Sequence, residues 1–370
     1  MKKATHNQRW QYAVNHKLLD RLPIFYSATE EFTISLNQYL GMDLDNILYD
    51  YFDIDYRFQG DGFEAKSWEP VYIGPELEKF DDGTFKNIWG STQKYINYGN
   101  GKYTETFDFA LADAKTVKEV DDHQWPQVDW YDYKSILPAI KKFPDYPFMV
   151  GYLAPGWFAW EVRGMSRFMI DCAEKNPIAE AILTHICDFG YEYFKKIVET
   201  VKDYIGKNVH CIHLADDWGT QQGLLMSPSV FDDYFAKHYR RMTDLAHSAG
   251  LKVEFHSCGS AVKIFPRFID VGVDIMNPIQ TSARDMIPMK IKKEFGNDLV
   301  FSGGIDVQQV LPKASPSEVK KEVISVLESM GENGGYIPGP SHNIQAGTPP
   351  ENVVAMYEAL HEYFGMKIKP

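Results

Sequence analysis

The sequence predicts an α/β fold, a closed (β/α)8 barrel of the TIM type, formed as one domain over residues 1–370. Three observations predict it. Short β-prone runs recur along the chain, each followed by a longer helical stretch, which implies a parallel sheet covered by helices. Seven such runs are visible with a candidate eighth, the number a closed barrel needs, and 370 residues suit a barrel with insertions. No Gly-rich G-x-G-x-x-G turn opens a helix, which counts against a dinucleotide-binding sheet.

The runs, in order, are "PIFYSA" (23–28), "PFMVGYLA" (147–154), "VHCIHLAD" (209–216), "KVEFHSCG" (252–259), "VDIMNPI" (273–279), "LVFSGGID" (299–306) and "GGYIPGP" (334–340). "YDYFDIDY" (49–56) is the candidate eighth. The helix over 227–250 opens with Ser227 and Pro228 and stops at Gly250, and the helix over 315–331 repeats that start and stop chemistry. Residues 60–125 break the rhythm; "WEPVYIG", "DDGTFKNIWG" and "GKYTETFDFAL" read as a β-ribbon insertion expected to cover the pocket mouth.

Composition narrows the function. The apolar share of 44% suffices for a packed core. The aromatic share of 14% suits a pocket for a flat or apolar ligand as well as a core. A net charge of −13 disfavours nucleic acid as a partner, since backbone binding needs clustered Lys and Arg. No stretch reads as a membrane span or signal peptide, and four cysteines are too few for a disulfide framework, so a cytoplasmic location is expected.

In such barrels the chemistry sits at the C-terminal ends of the strands. His256 and Cys258 lie at one strand end, on one face because strand side chains alternate, and imidazole and thiolate are preferred zinc ligands. A buried thiol beside a core histidine is the bland reading of the same pair. His342, after the last strand, supplies a third candidate ligand and leaves an open coordination position, as catalytic sites do. Asp216 and Asp217 end another strand; being adjacent, they cannot both face the interior, so one is expected at the site and the other in a cap. With Glu161 they are the candidate acid–base residues. Tyr152, Trp157, Asn277 and Asp306 are candidate substrate contacts. His185, His210, His213, His238 and His247 read as helix-surface or core residues, and Cys172 and Cys187 as buried packing.

Taken together, "VNHKLLDRLPIFYSA", "GYLAPGWFAWEVRGM", "HLADDWGTQQGLLMSP", "EFHSCGS", "VGVDIMNPIQ", "FSGGIDVQQVLP" and "GGYIPGPSHNIQAGTPPENVVAMYEAL" resemble the uroporphyrinogen decarboxylase superfamily across nearly the whole chain. The resemblance implies a distorted (β/α)8 barrel and one of two activities. True uroporphyrinogen decarboxylases need no metal and grip a carboxylate-rich tetrapyrrole with N-terminal arginines; the matching segment here, "FYSATEEFTISLNQYLG", has none and carries Glu30 and Glu31. The second branch comprises corrinoid-dependent methyltransferases that bind zinc with a His-x-Cys pair and a later Cys. His256 and Cys258 match the pair, and His342 stands where the later Cys belongs.

Two neutral imidazoles and one thiolate leave zinc a net positive charge, which makes a stronger Lewis acid and a poorer activator of a bound thiolate. The resemblance therefore implies O-demethylation: methyl transfer from a small, ether-like donor, best a methoxylated aromatic, to cob(I)alamin. No D-x-H-x-x-G signature is present, so the cobalamin is expected on a corrinoid partner protein; a homodimer is one admissible assembly. The alternatives are a metal-free decarboxylase, a methylcobamide:thiol methyltransferase and a non-catalytic ligand binder.

Overall fold

The computed structural model describes residues 4–57, 67–98 and 101–366. Helix α1 (His6–Val14) starts at a Thr5/Gln8 capping box, and α2 (Glu30–Leu40) runs from its Thr29 cap to Gly41 in the left-handed conformation. Strand β1 is short (Ser67–Trp68). An antiparallel ribbon follows, β2 (Thr92–Tyr98) against β3 (Gly101–Asp108). The chain then alternates: β4 (Phe148–Leu153), α3 (Pro155–Arg163), α4 (Pro177–Val201), β5 (Val209–Ala215), α5 (Ala236–Ser248), β6 (Lys252–His256), β7 (Ile275–Ile279), β8 (Val300–Ile305), α6 (Pro316–Met330), β9 (Tyr336–Pro340) and α7 (Pro350–Glu362). Among the described residues no helix is long and apolar enough to cross a membrane.

Strands β1, β4, β5, β6, β7, β8 and β9 form one parallel sheet in that spatial order. Consecutive strands from β4 onward are neighbours, as the βαβ pattern requires. The predicted first run, 23–28, closes the ring by sparse contacts. Ala28 bridges Ile344 beyond β9; on the other side the Asp55 amide donates to the Ile24 carbonyl at 2.8 Å. The (β/α)8 class is borne out, with one correction of register. Residues 46–51 form a π-helical turn begun by Asp43, whose carboxylate accepts from the Asn46 amide, so "YDYFDIDY" is not a ladder strand. The strand pairing with β4 is Ser67–Trp68, inside the stretch assigned to the insertion.

Asp55 explains why 52–56 stays irregular. Its carboxylate, fully buried, binds Arg21, Arg9 Nη1 (3.1 Å), His6 Nδ1 (2.9 Å) and the Ile24 amide (2.7 Å). Against the cost of burial, Arg21, His6 and Arg9 hold it well below the usual carboxylate range. This network ties the N-terminal arm to the closing edge of the barrel.

The main core lies between sheet and helices. A second apolar cluster joins Met149, Cys211, Ile275, Val300 and Ile337 from the inner side of five strands with Trp10, Val14, Phe25 and Tyr56. These residues fill the barrel's lower half, and the Trp10 indole donates to the Tyr56 hydroxyl at 2.7 Å. The cluster sits toward the N-terminal ends of the strands, away from their C-terminal ends. The ribbon β2–β3 fastens to α3: Gln93 donates to Glu161 Oε1 at 3.0 Å, Asn87 to Oε2 at 3.3 Å, and the Leu111 amide to the Val162 carbonyl. The part of the expected insertion at 60–66 and 99–100 lies outside the described residues.

Candidate metal centre

His256, Cys258 and His342 converge. One ligand atom from each lies within 4.8 Å of the others, although 84 residues of sequence separate Cys258 from His342. His256 is the last residue of β6. Its Nδ1 is 2.8 Å from Asn277 Oδ1, which as an acceptor requires the proton on Nδ1 and leaves the Nε2 lone pair available. That Nε2 is 3.3 Å from Cys258 Sγ. Asn277 is fixed in turn by donating to Ser302 Oγ at 3.1 Å.

Cys258 sits on a loop whose backbone amides are held in succession. The Ser260 amide donates to the Thr220 carbonyl at 2.7 Å, the Gly259 amide to Gln280 Oε1 at 2.7 Å, and the Cys258 amide to Asp217 Oδ1 at 2.8 Å. Gly259 takes φ +80°, and a Cβ there would lie 2.6 Å from Gly219, so glycine is required. Burial, reinforced by Asp217, holds the Cys258 thiol well above its ordinary pKa. A cation would supply the charge that makes a thiolate favourable.

His342 follows β9 and precedes the Ile344 bridge that ties the chain to residue 28. It is reachable by solvent yet surrounded by protein on most sides, so desolvation and His256 lower its pKa to about 4, leaving it neutral near pH 7. Two neutral imidazole nitrogens and one thiol at this spacing are a donor set that fits zinc.

The other expected site residues divide. Asp216 and Asp217 take separate tasks, as their adjacency required. Asp216 is buried, and its oxygens accept from the Gly156 and Trp157 amides (2.9 and 2.8 Å) at the start of α3 and from Tyr239. Burial pushes its carboxyl up to about 7 despite those donors. These bonds cap the start of α3, and Asp217 is the one beside Cys258. Asn277 faces His256 and Ser302, both ends of its amide being engaged. Asp306 spends Oδ1 on the Gln308 amide at 2.6 Å, closing the turn after β8. Glu161, its carboxyl raised by burial to about 7, holds the ribbon to α3. Tyr152 stacks edge-on to Phe158 and lies 5.5 Å, ring to ring, from His213; Trp157 is half exposed beside Trp160.

The sequence reading missed His213. It is the register partner of both Tyr152 and Glu254, and its ring is stacked 6.3 Å from that of His256. The signal was present: Cys211 and His213 are two residues apart on one strand and share a face, and Cys211 belongs to the interior cluster.

The sequence profile for uroporphyrinogen decarboxylase matches residues 94–363, and the chain belongs to the uroporphyrinogen decarboxylase superfamily. Its relatives represent both branches. It is 20% identical over 283 residues to the uroporphyrinogen decarboxylase of Pseudoalteromonas translucida, 73% of each chain. It is 25% identical over 232 residues to the methylated-thiol–coenzyme M methyltransferase of Methanosarcina mazei, 62% of this chain and 54% of that one. In fold, a methyltransferase from Methanosarcina mazei superposes with a TM-score of 0.67 at 18% identity, covering 98% of this chain and all of the other.

Proposed function

We propose that this protein is a zinc-dependent methyltransferase that moves a methyl group from a small donor, best a methoxylated aromatic, to the cob(I)alamin of a corrinoid protein. The observation that carries the reading is the convergence of His256, Cys258 and His342 at the C-terminal end of the barrel strands. These three residues would hold the metal. Bound there, zinc supplies Lewis acidity toward the heteroatom of the donor. Asn277 keeps His256 in the tautomer that presents Nε2, and Asp217 holds the Cys258 loop. Tyr152 and Trp157 would supply an aromatic wall for a flat donor, and a partner's corrinoid would approach from the C-terminal ends of the strands.

The metal-free decarboxylase reading is weaker because residues 25–41 contain no arginine, and Glu30 and Glu31 occupy the first turn of α2. Methyl transfer from a methylcobamide to a thiol is the alternative in the same class, consistent with the name of the methanosarcinal relative. It is disfavoured by the second imidazole, which leaves the metal more positive than two thiolates would. The test is zinc content beside methyl transfer. Wild type is expected to hold about one zinc per chain that His342→Ala loses, and to methylate cob(I)alamin when given a methoxylated aromatic. Absence of zinc after reconstitution under reducing conditions would overturn the proposal.

A further inference from the structure

Around the start of α3 the barrel end carries negative charge that no basic side chain matches. Asp216 is buried, and its partners are all neutral: the Gly156 and Trp157 amides and the Tyr239 hydroxyl. Glu161, further along the helix, accepts from the side-chain amides of Gln93 and Asn87, again uncharged. Elsewhere in this chain a buried carboxylate is given a cation: Asp55 has Arg9 and Arg21, and Asp171 has Arg163 at 2.8 Å. Within four residues of the C-terminal ends of β4 to β9 there is no Lys or Arg. Tyr152, near the end of β4, stands among the acids. Burial, then Asp216, Glu69, Asp217 and Glu161, hold its phenol well above its ordinary pKa. Its hydroxyl has no hydrogen-bond partner among the described residues. Trp157, 48% exposed, presents its indole one helical turn before Glu161. A bound zinc would not balance the charge at α3. Zinc and one thiolate leave a single positive charge, and Asp217 at the Cys258 loop offsets it.

We propose that the methyl donor carries an ammonium group, received on the α3 side by Trp157, Tyr152 and the field of Asp216 and Glu161. The proposal rests on the reading of this pocket as the methyl-donor site and names the donor class, a protonated methoxylated aromatic amine. An alkylammonium is attracted both to an indole face and to nearby carboxylates. The Tyr152 oxygen offers a lone pair to an N–H of the same group. The metal-competent trio stands at the ends of β6 and β9, whereas α3 follows β4, so the two charges occupy different parts of the barrel end. The ether oxygen is directed to the metal and the ammonium group to α3, each end of the donor meeting opposite charge. A carboxylate in place of the ammonium group meets Asp216 and Glu161 and finds no Lys or Arg at the strand ends to pair with.

The experiment is calorimetric binding of 4-methoxybenzylamine, 4-methoxybenzyl alcohol and 4-methoxybenzoate to the full chain reconstituted with zinc, at neutral pH and over a salt series. Zinc content and methyl transfer are measured on the same preparations. Wild type is expected to bind the amine about tenfold more tightly than the alcohol, and the benzoate most weakly. Added salt is expected to weaken binding of the amine and leave the alcohol unchanged. Glu161→Gln and Trp157→Leu are each expected to cut the preference for the amine to about threefold, with zinc retained. General loss of structure weakens amine and alcohol alike, so the ratio is the readout. If Glu161→Gln does not fold, Trp157→Leu and the wild-type salt series decide. Alcohol bound as tightly as amine, benzoate bound most tightly, a preference indifferent to salt or unmoved in both variants, or no binding of any of the three overturns the inference. Methyl transfer without the preference overturns the inference and leaves the proposed activity standing. The preference without methyl transfer supports recognition of the ammonium group and overturns the proposed activity.

Discussion

Replacing Asn277 by Ala tests whether the three side chains are arranged for a metal or merely adjacent. The structure gives Asn277 Oδ1 one partner in the site, His256 Nδ1 at 2.8 Å, and no direct place among the three ligand atoms. Removing it frees the imidazole to carry its proton on Nε2, the atom 3.3 Å from Cys258 Sγ, and that tautomer has no lone pair to offer there. Supporting bonds of this kind are worth about 10–100-fold in metal affinity, or about 1.4–2.7 kcal/mol. A competition titration against a chromophoric chelator reads that range directly, and Asn277→Asp, which keeps an acceptor of greater basicity, is expected to bind zinc at least as tightly as wild type. An Ala variant with wild-type affinity would refute the reasoning, because the imidazole orientation would then owe nothing to Asn277.

Asp216→Ala is expected to lower stability by about 1–3 kcal/mol, through loss of the α3 cap and an unsatisfied buried Tyr239 hydroxyl, with zinc affinity unchanged; chemical denaturation and the chelator titration separate the two. Gly259→Ala is expected to lose both stability and zinc, since the φ of +80° alone costs a side-chain-bearing residue about 1–2 kcal/mol and the added Cβ meets Gly219. Burial lowers the pKa of both His210 and His238 to about 4. The unfolded chain therefore takes up protons first, and stability should fall between about pH 6.5 and pH 4 by up to about 1.4 kcal/mol per pH unit for each group. A thermal midpoint recorded across that window should drop less steeply in His210→Gln.

The barrel and the meeting of His256, Cys258 and His342 were legible in the sequence for a shared reason. Seven β-prone runs separated by helices admit few topologies, and strand alternation fixes the faces of His256 and Cys258 before any coordinates are known. What was not legible depends on partners distant in sequence. "YDYFDIDY" has the alternation of a strand, but Asp55 is claimed by Arg9, Arg21 and His6, and the ladder position passes to Ser67–Trp68. Asp216 and Asn277 stood at strand ends as expected of site residues. Only the amides of Gly156 and Trp157, and the ring of His256, reveal that their polar atoms are already engaged. His213 was hidden by its neighbours, since a histidine in an apolar run reads as core until the depth of the floor beneath it is known.

The stopper of Trp10, Val14, Phe25 and Tyr56 at the base of the barrel has a kinetic consequence. With the lower end packed, the proposed activity would bring a donor in, and its demethylated product out, by the same end of the barrel that a corrinoid protein would approach. The small molecule would then have to be seated before the large one docked, and the spent donor would wait for the large one to depart. Steady-state kinetics with both substrates varied should then show a compulsory order of addition, with excess corrinoid protein slowing turnover by detaining product behind it.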